Sequence, residues 1–201
     1  MPNPRAKSVF FRANPWLLIL LLITSTLAQQ PKLSTTQVRD LVQREVGDKV
    51  IVDDMSGREY LHGDFNGDGF ADLAINLIVD DARDELQQHG IRFVDANPWG
   101  KTNGRQGEAP EWRHCAAVVF LHGSAKQWDP SQISQKFLVY DCYSGFSLVP
   151  HGRRIRRGNG SVGPTPKPKG DSVLLDLESG ATALIYWNGR TYRGFGIRGG
   201  D

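Results

Sequence analysis

Residues 63–79 read GDFNGDGFADLAINLIV and divide into two halves of opposite chemistry. The first half spaces Asp64, Asn66, Asp68 and Asp72 along a nine-residue span, with Gly67 and Gly69 between them. Carboxylates set that close repel unless a positive charge lies among them, so this half asks for a cation. The second half places Leu73, Ile75, Leu77 and Val79 at every second position, the period of a β-strand with one buried face. An acidic turn running straight into a strand makes the middle of the chain β-structured.

The donor types narrow the cation. Calcium takes about six to eight oxygen ligands, and a short loop supplies them when alternate residues turn inward. Asp64, Asn66 and Asp68 offer side-chain oxygens at positions 1, 3 and 5, Phe70 a carbonyl at position 7, and Asp72 a carboxylate at position 9. Zinc would call for His or Cys instead. An EF-hand needs Glu at position 12 and an exiting helix, whereas Ile75 stands there within a strand pattern. A dockerin-type loop fails on the same residue.

The pattern D-x-N-x-D-G-x-x-D followed by a strand resembles the calcium loop of FG-GAP and VCBS repeat proteins. The matching residues are Asp64, Asn66, Asp68, Phe70 through its backbone, and Asp72, with Leu73–Ile75 opening the strand. The resemblance implies a structural Ca²⁺ held on a turn between two strands. It covers about 15 residues. Propellers of that family repeat the loop across blades of about 40–50 residues, and this chain carries it once. The propeller and its adhesion role are therefore not implied.

Working outward, LSTTQVRDLVQREVG (33–47) predicts an amphipathic helix. Ser34 is the N-cap, Gln37 completes a capping box, Leu33 and Val38 can form a hydrophobic staple, and Val38, Leu41, Val42 and Val46 share a face. Short strand patterns follow at 49–54 and 58–64, and the polar stretch 80–90 reads as a surface helix. CAAVVFLHG (115–123) and KFLVYDC (136–142) read as a hairpin with Ala117 opposite Tyr140 and Val119 opposite Leu138. That register sets Cys115 opposite Cys142, and in an oxidising compartment the two are expected to form a disulfide. Such a bridge would stabilise the fold by about 2–4 kcal/mol. Residues 171–197 read as a meander turning at Ser179-Gly180 and Asn188-Gly189. The fold expected is α+β: a mostly antiparallel sheet or meander of about seven strands, with one N-terminal amphipathic helix packed on it.

The N-terminus has the form of an export signal. Arg5, Lys7 and Arg12 precede an apolar run of 12 residues, Trp16 to Leu27. A bilayer span needs about 20, and Thr26 and Ala28 suit cleavage after Ala28. Residues 1–28 are thus expected to be a signal peptide and 29–201 a single domain, periplasmic or secreted, with no integral membrane segment. Loss of the three cations would turn the formal charge from +2 to −1, which gives no reason to expect a nucleic-acid partner. Neither a G-x-S-x-G elbow nor an H-E-x-x-H helix occurs. The function expected is a non-enzymatic binding module for a protein or cell-envelope glycan. The alternative is a secreted hydrolase using the acidic cluster Asp80, Asp81, Asp84 and Glu85, or an anion-binding or inhibitor protein. The last would use the basic run Arg153, Arg154, Arg156, Arg157, Lys167 and Lys169. Trp99, Trp112 and Trp128 could stack on a sugar or peptide, or fold back as lids on the core.

Overall fold

A computed structural model of the chain describes residues 32–54, 57–79, 82–99, 115–140, 143–157, 160–162, 164–177 and 180–197, apart from the side chain of Cys115. The expected leader lies outside them. Among the described residues no helix is long and apolar enough to cross a membrane.

Helix α1 (Thr35–Glu45) begins as its sequence dictates. Ser34 Oγ accepts the Gln37 N–H at 3.3 Å, and Gln37 Oε1 accepts the Ser34 N–H at 2.8 Å. Its stripe of Val38, Leu41, Val42 and Val46 is buried against one face of a six-stranded sheet. That sheet contains β1 (Val50–Val52), β2 (Tyr60–Gly63), β3 (Asp72–Val79), β4 (Arg92–Val94), β5 (Cys115–Gly123) and β6 (Ile133–Tyr140). The order is β1-β3-β5-β6-β4, with β2 also paired to β3, and β4 runs parallel to β6 while the other pairs are antiparallel. A second helix, α2 (Arg83–Gln88), separates β3 from β4 and buries Leu86.

The second sheet is a four-strand antiparallel meander of β7 (Tyr143–Val149), β8 (Ser172–Leu177), β9 (Thr182–Trp187) and β10 (Tyr192–Ile197). It covers the face of the first sheet that α1 leaves open. Val118, Phe120, Phe137 and Val139 meet Val173, Leu175, Ile185 and Tyr192 in a shared core. The layers run helix, sheet, sheet.

The mostly antiparallel α+β character is as expected, but the count is not. Among the described residues, ten strands in two sheets and two helices replace the single sheet of about seven strands and one helix. β4 is three residues long, too short for a period to show. In β7 the register shifts between Tyr143 and Gly145, so its alternation is broken where it would have been read. The back face of β3 explains the missing layer. Ala74 and Asn76 read as a solvent-facing side, yet both are fully buried. Tyr143 Oη donates to Asn76 Oδ1, and Asn76 Nδ2 donates to Asp53 Oδ2 at 2.9 Å, so the amide is satisfied under the second sheet.

The β5–β6 register pairs Ala117 with Tyr140 and Val119 with Leu138. Cys142 and the Cys115 side chain lie outside the described residues, and so does the expected disulfide.

Candidate metal centre

The acidic loop fills the gap between β2 and β3, and its own backbone amides organise it. Asp64 Oδ1 accepts the N–H groups of Gly67 (2.7 Å) and Asp68 (3.1 Å), and its Oδ2 accepts that of Gly69 (2.9 Å). Asn66 Oδ1 accepts the Asp68 N–H at 2.9 Å, and Asp68 Oδ1 accepts the Phe70 N–H at 2.9 Å. Each is the side-chain-to-backbone turn that Asp and Asn favour. Gly67 and Gly69 adopt φ of +76° and +84°, which the successive turns require. The loop is therefore curled about its own side-chain oxygens, with Asp68 and Phe70 at the exposed tip.

Asp72 stands apart from the others. It is fully buried. Its Oδ2 accepts the N–H groups of Phe65 (2.9 Å) and Asn66 (3.3 Å), and its Oδ1 accepts the Gly123 N–H at 2.9 Å. Gly123 can reach it because the β5–β6 register shifts between His122 and Gly123. A bulge of this kind re-aims backbone groups. Burial pushes the Asp72 carboxyl up to about 7, against the pull of those three amides. Asp72 thus ties the loop to the end of β5.

Beneath the loop lies a residue that the sequence reading did not assign to it. His122 is buried, with Nδ1 3.3 Å from Asn66 Nδ2 and Nε2 2.7 Å from Tyr192 Oη. Since Asn66 Oδ1 takes the Asp68 amide, its NH₂ faces the imidazole. Nδ1 then accepts, and the neutral ring carries its proton on Nε2, toward Tyr192. Asn66 Nδ2 also donates to Asp68 Oδ2 at 2.8 Å, so the loop tip is wired to the core. Around His122 pack Phe137, Trp187 and Tyr192, and the Tyr192 ring stacks on Phe120 at 3.9 Å between centroids. Burial lowers His122 to about 4 and raises Tyr192 well above its ordinary value, with Asp72 and Asp64 adding to the rise.

These two shifts bias stability with pH in opposite senses. For His122 the folded state binds fewer protons than the unfolded state between about 4 and 6.5, so stability rises with pH there. For Asp72 the folded state binds more protons between 3.8 and about 7, so stability falls with rising pH. In EDTA the two slopes offset below about pH 6.5. Relative to wild type, His122→Gln should lose the rising contribution, so that its stability falls more, or rises less, from pH 4 to 7 by on the order of 2–4 kcal/mol. Urea titrations at stepped pH test this, and a variant profile parallel to wild type would contradict it.

His62 lies in β2 with both ring nitrogens buried and without a hydrogen-bond partner among the described residues. In the acidic cluster, Asp80 and Asp81 lie outside the described residues and Asp84 is exposed on α2. Glu85 Oε1 accepts the Asp48 N–H at 2.6 Å, holding the turn after α1. Trp128 folds back into the helix-side core, Trp99 is 40% exposed, and Trp112 is not described. A cleft of about 310 Å³ opens beside α1 and β1, lined by Arg39, Gln43, Asp48 and Ile51 among others. Another of about 170 Å³ lies by Pro150, Arg153 and Pro168. Neither is lined by Asp84, Glu85 or the acidic loop.

The donors left to a cation are oxygens only. Asp64 and Asp68 carboxylates and the Asn66 amide oxygen each keep a lone pair after their backbone bonds, and the Phe70 carbonyl adds a fourth donor. Among the described residues no three His, Cys, Asp or Glu side chains converge as a ligand set. Two carboxylates, an amide and a carbonyl still fit a hard ion that completes its shell with water. No protein-family model, no curated protein and no solved structure matches the chain.

Proposed function

We propose that the chain is an exported, non-enzymatic binding module whose acidic loop is held by one structural calcium ion. Asp64, Asn66, Asp68 and the Phe70 carbonyl would hold the ion on the open side of the loop, while Asp72 anchors the loop from beneath. The ion would neutralise the two outer carboxylates and fix the turn; it supplies no reaction. The observation that carries this reading is the curl itself. Four successive amides, from Gly67 to Phe70, bond to Asp64, Asn66 and Asp68 and gather their oxygens on one short turn. Only two carboxylates ligate in this scheme, so the affinity belongs to the weak range of extracellular modules, about 10⁻⁴–10⁻³ M. Export rests on the form of residues 1–28, and an extracellular calcium supply would suffice for such a site.

Thermal unfolding in EDTA and in millimolar calcium tests the reading. Calcium should raise the melting temperature of wild type by several degrees through preferential binding to the folded state. Asp68→Ala, at an exposed tip residue, should melt close to wild type in EDTA and show no response to calcium. A calcium response retained in the variant would mean that the ion binds elsewhere.

A further inference from the structure

The described residues between β7 and β8 (150–157, 160–162 and 164–171) include points of attachment to the outer face of the four-stranded sheet. Ile155 packs on Val149, Leu184, Tyr186 and Phe195. Val162 forms an antiparallel bridge with Gly196, and the Lys169 N–H donates to Trp187 O at 3.0 Å. The two ends meet at one residue. Asp171 Oδ1 accepts the His151 N–H at 2.7 Å, and its Oδ2 accepts the Asp64 N–H at 3.0 Å. This segment is a strap fastened at several points along its length, which a solvated, unattached loop would not be.

Its outward chemistry is uniform. Arg153, Arg154, Arg156, Arg157, Lys167 and Lys169 are all exposed, and no Asp or Glu occurs from 150 to 170. Arg190 and Arg193 extend the same charge onto the neighbouring hairpin. The Lys169 stem lies across the Asn188-Gly189 turn, with its Cε 3.7 Å from where a Gly189 Cβ would stand. None of these eight cations forms an ion pair among the described residues. Held on a fixed surface without ion-pair partners among the described residues, they repel one another and raise the local anion concentration. The cleft of about 170 Å³ opens on this segment, lined by Pro150, Ile155 and Pro168 and, of the eight cations, by Arg153.

We propose that this face binds a linear acidic polysaccharide, with one sugar ring seated in the cleft and its carboxylate or sulfate groups met by the arginines. A ring-sized cleft with apolar lining and Arg153 in it, on a surface of exposed arginines, suits a sugar bearing an anionic substituent. A lipid surface fits less well, because the exposed large apolar side chains among the described residues are Ile51, Phe70 and Trp99, none of them on the strap. Single-stranded nucleic acid would need aromatic stacking platforms, and no Phe, Tyr or Trp occurs from 150 to 170. The proposal does not depend on the loop holding calcium.

The test is binding of a size-defined heparin decasaccharide to the protein, compared with phosphatidylglycerol vesicles and a single-stranded oligonucleotide. The decasaccharide should bind in low salt and weaken steeply between about 50 and 300 mM NaCl, as the charges are screened. Replacing the exposed trio (Arg154→Ser, Arg156→Ser, Arg157→Ser) should weaken binding at least about tenfold with the melting temperature unchanged. Arg153→Gln should weaken the decasaccharide more than it weakens dextran sulfate, which carries the charge on a different backbone. No binding in low salt, or a trio variant within about twofold of wild type, overturns the proposal. Tighter binding of vesicles or oligonucleotide than of the decasaccharide overturns it in favour of that other partner.

Discussion

Asp72→Ala is expected to remove about 3–5 kcal/mol of stability, a large part of what a domain of this size possesses. The side chain is fully buried and accepts three backbone N–H groups, two from the loop and one from the end of β5. Truncation leaves those donors unsatisfied beneath the loop, at about 1–3 kcal/mol each where water cannot replace the carboxylate. Asp72→Asn keeps one acceptor oxygen but turns an NH₂ toward an N–H, so it should lose a smaller share, about 2 kcal/mol. The urea midpoint should fall with little change in slope. Calcium should not restore either variant, because the lost bonds are to backbone. A midpoint within error of wild type in EDTA would show that Asp72 is not the anchor.

Gly67→Ala should cost nearly as much, about 2–4 kcal/mol, whereas Gly69→Ala should cost only about 1–2 kcal/mol. Both glycines have positive φ, so both variants carry the left-handed penalty. They differ in what surrounds them. A Cβ at Gly67 would lie 2.0 Å from Lys169 O and 2.5 Å from its carbonyl carbon, while nothing stands within 4 Å of one at Gly69. Gly170 faces the contact from the other side, where a Cβ would meet Asp64 O at 2.1 Å. The clash at Gly67 is backbone on backbone, so relief requires the loop to lift from residues 169–171. Chemical denaturation of the two single variants in EDTA measures the difference, and equal costs would mean that the close approach contributes nothing.

Those two glycines also mark how far the sequence could be read. Local patterns were legible because their partners are near in the chain. Ser34 and Gln37 are three residues apart, and both capping bonds form. The β5–β6 register followed from facing apolar residues. The tight turns at Gly67 and Gly69 followed from the acidic spacing. What was missed depends on long-range contacts. Asp72 reaches Gly123 across 51 residues, His122 reaches Asn66 across 56 and Tyr192 across 70, and Asp171 reaches Asp64 across 107. No periodicity records such pairings. Ala74 and Asn76 illustrate the same limit, since a small and a polar residue on one side of a strand look alike whether water or a second sheet covers them. The role of Gly67 as a contact point, beyond its turn, belongs to this second class.

The curl around Asp64, Asn66 and Asp68 is proposed to hold a calcium ion. Calorimetric titration of calcium into the protein, beside Asp68→Ala and the exposed-helix control Asp84→Ala, tests it most directly. The account predicts one ion per chain with a Kd of about 10⁻⁴–10⁻³ M in wild type and in Asp84→Ala, and no binding heat in Asp68→Ala. Absence of binding heat in wild type at millimolar calcium, or binding that survives Asp68→Ala, would contradict it.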